Sequence, residues 1–102
     1  MTTAGPTPQP VLPSPGNVTI YTTSWCGYCK SLTTQLTSLK VPFTKIDIEQ
    51  DSNAAAYVEH VNGGNRTVPV VLFPDGTTLT NPPSGVVKSK LAAIPVPVSS
   101  QK

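Results

Sequence analysis

The chain has 102 residues, enough for one domain and too few for a second hydrophobic core. Seven Lys and Arg against five Asp and Glu give a net charge of +2, which excludes the basic field of a nucleic-acid-binding domain. Charged residues make up only 12% of the chain, yet no apolar run approaches the length of a membrane span.

Five of the 12 prolines fall between Pro6 and Pro15. Proline removes backbone donors and favours extended polyproline geometry, so residues 1–16 are expected to form a solvated, disordered tail. It serves as a spacer or, in a sharper reading, as a ligand for a proline-recognition module. The segment has no Lys or Arg and no apolar stretch of the secretory kind. The expected compartment is therefore the cytoplasm, where a cysteine pair points to redox or metal chemistry rather than to a structural staple.

The folded domain is expected over residues 17–94. Residues 17–22 (NVTIYT) alternate and are rich in β-branched types, which predicts a strand. After Trp25-Cys26-Gly27-Tyr28-Cys29 the period changes: Cys29, Leu32, Leu36 and Leu39 are spaced 3, 4 and 3, a helical stripe that Pro42 ends. Residues 43–48 (FTKIDI) return to strand alternation. Asp51 or Ser52 can cap a second helix with Ala54, Tyr57, Val58 and Val61 on its apolar face. Asn62-Gly63-Gly64 closes that helix, with an Asn-Gly hairpin as the rival reading.

Residues 68–73 (VPVVLF) predict a buried strand, Pro74-Asp75-Gly76 a hairpin turn, and residues 77–80 its partner. A last helix starts at Pro82-Pro83-Ser84, carries Val87, Leu91 and Ile94 on one side, and stops at Pro95. Residues 95–102 are expected to be a flexible tail. The order β-α-β-α-β-β-α fits an α/β fold, a four-stranded mixed sheet with three helices.

Cys26 and Cys29 stand where the first strand gives way to the first helix. Spacing i, i+3 puts both sulfurs on one side of one helical turn, close enough to bridge. Unpaired N–H groups and the helix dipole favour a thiolate at Cys26, and in C-x-x-C sites the thiol pKa falls to roughly 3.5–7.5. Cys29 lies a turn further in, on the apolar stripe. Attack by Cys26 and resolution by Cys29 follow from position. Three other readings compete. A staple closing so short a loop removes little chain entropy. A zinc site needs four ligands, and the chain has two Cys and one His, with His60 reading as a solvated helix residue. An iron–sulfur cluster shared by two chains, with Cys26 as ligand, is the third. No metal site within the chain is expected.

The run Tyr21-Thr22-Thr23-Ser24-Trp25-Cys26-Gly27-Tyr28-Cys29, with Arg66-Thr67-Val68-Pro69 and Asp75-Gly76, resembles the glutaredoxin branch of the thioredoxin superfamily. Together with residues 61–65 (VNGGN), these motifs are similar to those of the mycoredoxins, the glutaredoxin-like proteins of bacteria that use mycothiol. The resemblance implies a thioredoxin fold in which Val68 and a cis Pro69 face the dithiol. It implies a thiol–disulfide oxidoreductase that reduces mixed disulfides between protein thiols and mycothiol. Cys26 is the nucleophile, and mycothiol is the co-substrate in place of any tightly bound cofactor. Partners would be mycothiol, mycothiolated or oxidised protein thiols and, indirectly, a mycothiol disulfide reductase. The alternative is a dithiol reductase fed by thioredoxin reductase. A monomer is expected.

Arg66 reads as a surface charge or, functionally, as a group orienting the polar part of a thiol together with Thr67. Trp25 and Tyr28 flank Cys26 as an exposed aromatic platform, unless Trp25 packs beneath the loop. Asp47, Glu49 and Asp51 read as a solvated turn. Three departures bear on the small thiol. Thr23 stands where glutathione-using glutaredoxins carry Lys, and Gly27 where they carry Pro or Ser. Residues 80–84 (TNPPS) replace their Gly-Gly-x-x-Asp segment. Losing two charge handles for a zwitterionic tripeptide favours mycothiol, a sugar–inositol conjugate of acetylcysteine.

Overall fold

Residues rich in β-branched types make Val18–Thr22 (β1) an inner strand, and all five of its residues are buried. The structure is a computed structural model that describes residues 10–94. After β1 come α1 (Gly27–Ser38), β2 (Phe43–Asp47), α2 (Ser52–Val61), β3 (Val70–Leu72), β4 (Thr78–Thr80) and α3 (Ser84–Ala93). The order is the expected one. Residues 1–9 and 95–102, where most of the two expected tails fall, lie outside the described residues. Residues 10–16 form no helix or strand.

The sheet runs β2-β1-β3-β4. Strand β1 pairs in parallel with β2, Ile20 against Lys45, and antiparallel with β3, Ile20 against Val71. Strands β3 and β4 form the antiparallel hairpin. Successive side chains leave a strand on opposite faces, so β1 supplies two cores. Val18 and Ile20 meet Leu32 and Leu36 of α1 and Val87 of α3. Tyr21 meets Ala54, Tyr57 and Val58 of α2. Helices α1 and α3 therefore cover one face of the sheet, and α2 covers the other. This is a thioredoxin fold.

The expected strand over residues 68–73 contracts to Val70–Leu72. Pro69 has no N–H to give a ladder, and Phe73 already belongs to the turn, its amide donating to Thr77 O at 2.9 Å. Asn62-Gly63-Gly64 is a helix end and not a hairpin. Gly63 takes φ 74°, and the Gly64 amide reaches back to Glu59 O at 2.7 Å.

Helix α1 ends in the same way, with a lysine in the glycine's place. Lys40 has φ 60°, and the Val41 amide donates to Leu36 O at 2.9 Å. The turn closes before Pro42 is reached. A Cβ at positive φ crowds the backbone, and glycine removes that penalty. Lys40→Gly is expected to stabilise the fold by about 0.5–1 kcal/mol, read as a higher urea midpoint at unchanged slope. A lower midpoint would show that the lysine side chain contributes more than its backbone conformation costs.

Candidate active site

A helix begins with N–H groups that lack intrahelical partners, and a side-chain oxygen usually accepts one of them. In α1 a sulfur does so. Cys26 is the N-cap residue with extended backbone (φ −86°, ψ 111°), and the Cys29 amide donates to its Sγ at 3.1 Å. The Cys26 amide itself donates to Thr23 O at 3.3 Å. Both cysteines are free thiols, Cys26 partly exposed and Cys29 buried. Burial first, and then the hydrogen bond with Cys26, push the Cys29 thiol up to about 12. Cys29 thus keeps its proton at neutral pH.

Across from Cys26 lies the Val68–Pro69 peptide, which is cis. The Cys26 thiol donates to Val68 O across 3.9 Å, and Pro69 is buried. Two asparagines hold this loop, both from the run of residues 61–65 (VNGGN) that carries the family resemblance. Asn62 Nδ2 donates to Thr67 O at 2.9 Å, and the Thr67 amide donates to Asn65 Oδ1 at 3.0 Å. Thr80 of β4 donates its hydroxyl to Asn62 Oδ1 at 2.8 Å, which ties the loop to the hairpin. Their signals in the sequence were a turn and the family resemblance, and neither foretold these hydrogen bonds.

Trp25 is 73% exposed and Tyr28 72%, so the aromatic pair stands in solvent beside Cys26. Trp25 does not pack beneath the loop. Its Nε1 donates to Glu49 Oε2 at 2.9 Å, and the Glu49 amide donates to Asp47 Oδ1 at 2.9 Å. Asp51 caps α2, accepting the Ala54 amide at 3.0 Å. The three acids read as a solvated turn are each tied to a hydrogen-bond donor. Arg66 is exposed and pairs through Nε with Glu59, a surface ion pair of small worth. Thr67 is exposed, and its recorded hydrogen bonds run through its backbone.

Two grooves flank α1. The one towards β2, about 360 Å³, is lined by both cysteines, Thr23, Lys45 and Asp47 among others. The one towards the β4–α3 loop, about 280 Å³, is lined by Tyr28, Gln35, Asn81 and Pro82 among others. Thr23 Oγ1 is buried with no hydrogen-bond partner. Among the described residues, no three His, Cys, Asp or Glu side chains gather as a metal site would require. None of the described helices is long and apolar enough to cross a membrane.

This geometry predicts an unequal response of the two thiols to alkylation. In the reduced protein at neutral pH, iodoacetamide is expected to modify Cys26 and to spare Cys29. Cys29 labelling should rise about tenfold per pH unit as its thiolate fraction grows. The fold holds this proton more tightly than the unfolded chain does, so its contribution to stability falls as pH rises past the ordinary thiol range. Mass spectrometry of the labelled peptides checks the order, and equal labelling at pH 7 would contradict it.

A family model described as Glutaredoxin matches residues 18–77. A Mycobacterium tuberculosis protein whose name places it among the glutaredoxins is 57% identical over 77 residues, covering 76% of this chain and 92% of that protein. Mycoredoxin 1 of Corynebacterium glutamicum is 46% identical over 78 residues, covering 76% and 96%. Among solved structures, a glutaredoxin from Archaeoglobus fulgidus superposes with TM-score 0.60 at 26% identity, covering 76% of this chain and 86% of that one. The dithiol on its helix start and these relationships agree: the chain belongs to the glutaredoxin family and is a glutaredoxin-like thiol–disulfide oxidoreductase.

Proposed function

We propose that the protein reduces mixed disulfides between protein thiols and mycothiol, with Cys26 as the nucleophile. The observation that carries this reading is the placement of Cys26 Sγ. It sits on the helix N-terminus, accepts the Cys29 amide and stands opposite Val68 O. Cys26 is the partly exposed thiol of the pair, so it is the sulfur that an incoming disulfide meets.

The Cys26 thiolate attacks the mycothiol sulfur, the substrate S–S bond breaks, and the protein leaves as a thiolate that takes up a proton. A second mycothiol thiolate then attacks the mycothiol sulfur bound to Cys26. Mycothiol disulfide leaves and the Cys26 thiolate returns. Electrons reach mycothiol disulfide from NADPH through a separate mycothiol disulfide reductase. Val68 and Pro69 present backbone to the incoming disulfide, with Thr67 beside them, and Trp25 and Tyr28 flank it. Arg66 gives its Nε to Glu59, which leaves its terminal guanidinium nitrogens for the polar part of the thiol.

Support for mycothiol over glutathione comes from Thr23 and residues 80–84 lacking the charged handles of glutathione sites, and from the 46% identity to Mycoredoxin 1. A second reading, turnover through a Cys26–Cys29 disulfide, is favoured by the hydrogen bond between the two cysteines.

The two single mutants separate the readings. With a mycothiolated protein as substrate, Cys29→Ser is expected to keep substantial turnover, whereas Cys26→Ser should have none. An inactive Cys29→Ser enzyme would establish the dithiol route. An NADPH-coupled assay with mycothiol, glutathione or thioredoxin reductase as electron source tests the co-substrate, with mycothiol expected to give the highest rate.

A further inference from the structure

We propose that the groove between α1 and β2 is a polyol subsite, which takes the sugar–inositol part of the co-substrate thiol. The inference rests on the reading of that thiol as mycothiol. The groove begins at Cys26, so a moiety lodged there stays attached to the sulfur under attack. Its volume of about 360 Å³ lies in the range of small-molecule sites, roughly 300–1,000 Å³.

The lining chemistry selects a polyol. Thr22, Thr23, Ser24 and Thr33 bring hydroxyl side chains, groups that both donate and accept, as a polyol's own hydroxyls do. Lys30 and Lys45 add donors, and Asp47 adds a carboxylate that would oppose a simple anion. The second observation is Thr23. This residue is 7% exposed, and its Oγ1 is buried without a partner. Buried polar groups are nearly always paired, and Thr23 lines the groove, so a small shift that uncovers this orphan hydroxyl gives it a partner in a ligand lodged there.

Trp25 stands beside the groove without lining it. It lies between two lining residues, Ser24 and Cys26, and its indole is held by Glu49 at 2.9 Å. The Glu49 amide is fastened in turn to Asp47, itself a lining residue. The groove on the other side of α1 is lined by neither cysteine and by no charged side chain.

The test has two arms. In the first, the free sugar–inositol moiety, without acetylcysteine, is titrated into isotope-labelled full-length protein and amide shifts are followed. Shifts at residues 22–24 and 45–47 are expected. Shifts confined to Tyr28 and residues 81–84, or none at millimolar ligand, overturn the subsite.

In the second arm, kcat/KM is compared for one target protein carrying either mycothiol or N-acetylcysteine, which lacks the polyol. Thr23→Val and Lys45→Gln are each expected to lower the mycothiol-to-acetylcysteine ratio by about fivefold, mainly through KM. Lys45 is exposed on an edge strand, so Lys45→Gln remains informative if Thr23→Val fails to fold. An unchanged ratio in folded variants overturns the proposal. If the polyol maps to the groove but the mycothiol mixed disulfide is a poor substrate, the reading of function fails and the subsite stands. If mycothiol is the preferred substrate but the shifts lie elsewhere, the function stands and the subsite fails.

Discussion

The hydrogen bond from the Cys29 amide to Cys26 Sγ sets both where helix α1 starts and where the reactive sulfur stands. A helix start requires an acceptor, and sulfur is a weaker acceptor than the oxygen of Ser or Asp. Capping by Cys26 therefore gives up some local stability for a sulfur aligned with the helix axis. One residue further along, a side chain would leave the helix about 100° away, facing neither Val68 nor Cys29. The same helical turn buries Cys29 and keeps it protonated. One turn of backbone makes the two thiols unlike.

Strand register supplies the remaining groups. Tyr21 pairs with Val70 on the antiparallel neighbour, so the residues following β1 lie beside those preceding β3. This is why Cys26 meets Val68 across 42 residues of sequence. Thr22 pairs with Asp47 on the parallel neighbour, which brings the turn after β2 to the same end of the sheet. Glu49 then reaches Trp25. The site is the place where the ends of β1 and β2 meet the beginning of β3. The cores on the two faces of the sheet hold those three strands in register.

What could be read from the sequence follows from how local its causes are. The stripes of α1 and α2 were legible because burial on one helix face repeats every three or four residues, and Leu32, Leu36, Ala54 and Val58 are indeed buried. Cys26 and Cys29 were legible because a strand, a C-x-x-C and a helix are contiguous. The α1 terminus was misattributed to Pro42, since a lysine at positive φ leaves no compositional trace. The Trp25–Glu49 and Asn62–Thr80 hydrogen bonds span 24 and 18 residues. No local pattern encodes them; they exist only once the sheet has formed. The groove beneath α1 has the same origin, because its walls come from two strands and a helix.

Trp25 is the only tryptophan of the chain, and it directly precedes Cys26. Indole emission from this protein therefore originates at one location, beside the sulfur that changes state. Thiolates and disulfides quench excited indoles to different degrees, and the hydrogen bond to Glu49 limits how far the ring can turn away. The unlabelled protein thus carries its own optical reporter, and each covalent stage of Cys26 should have a brightness of its own.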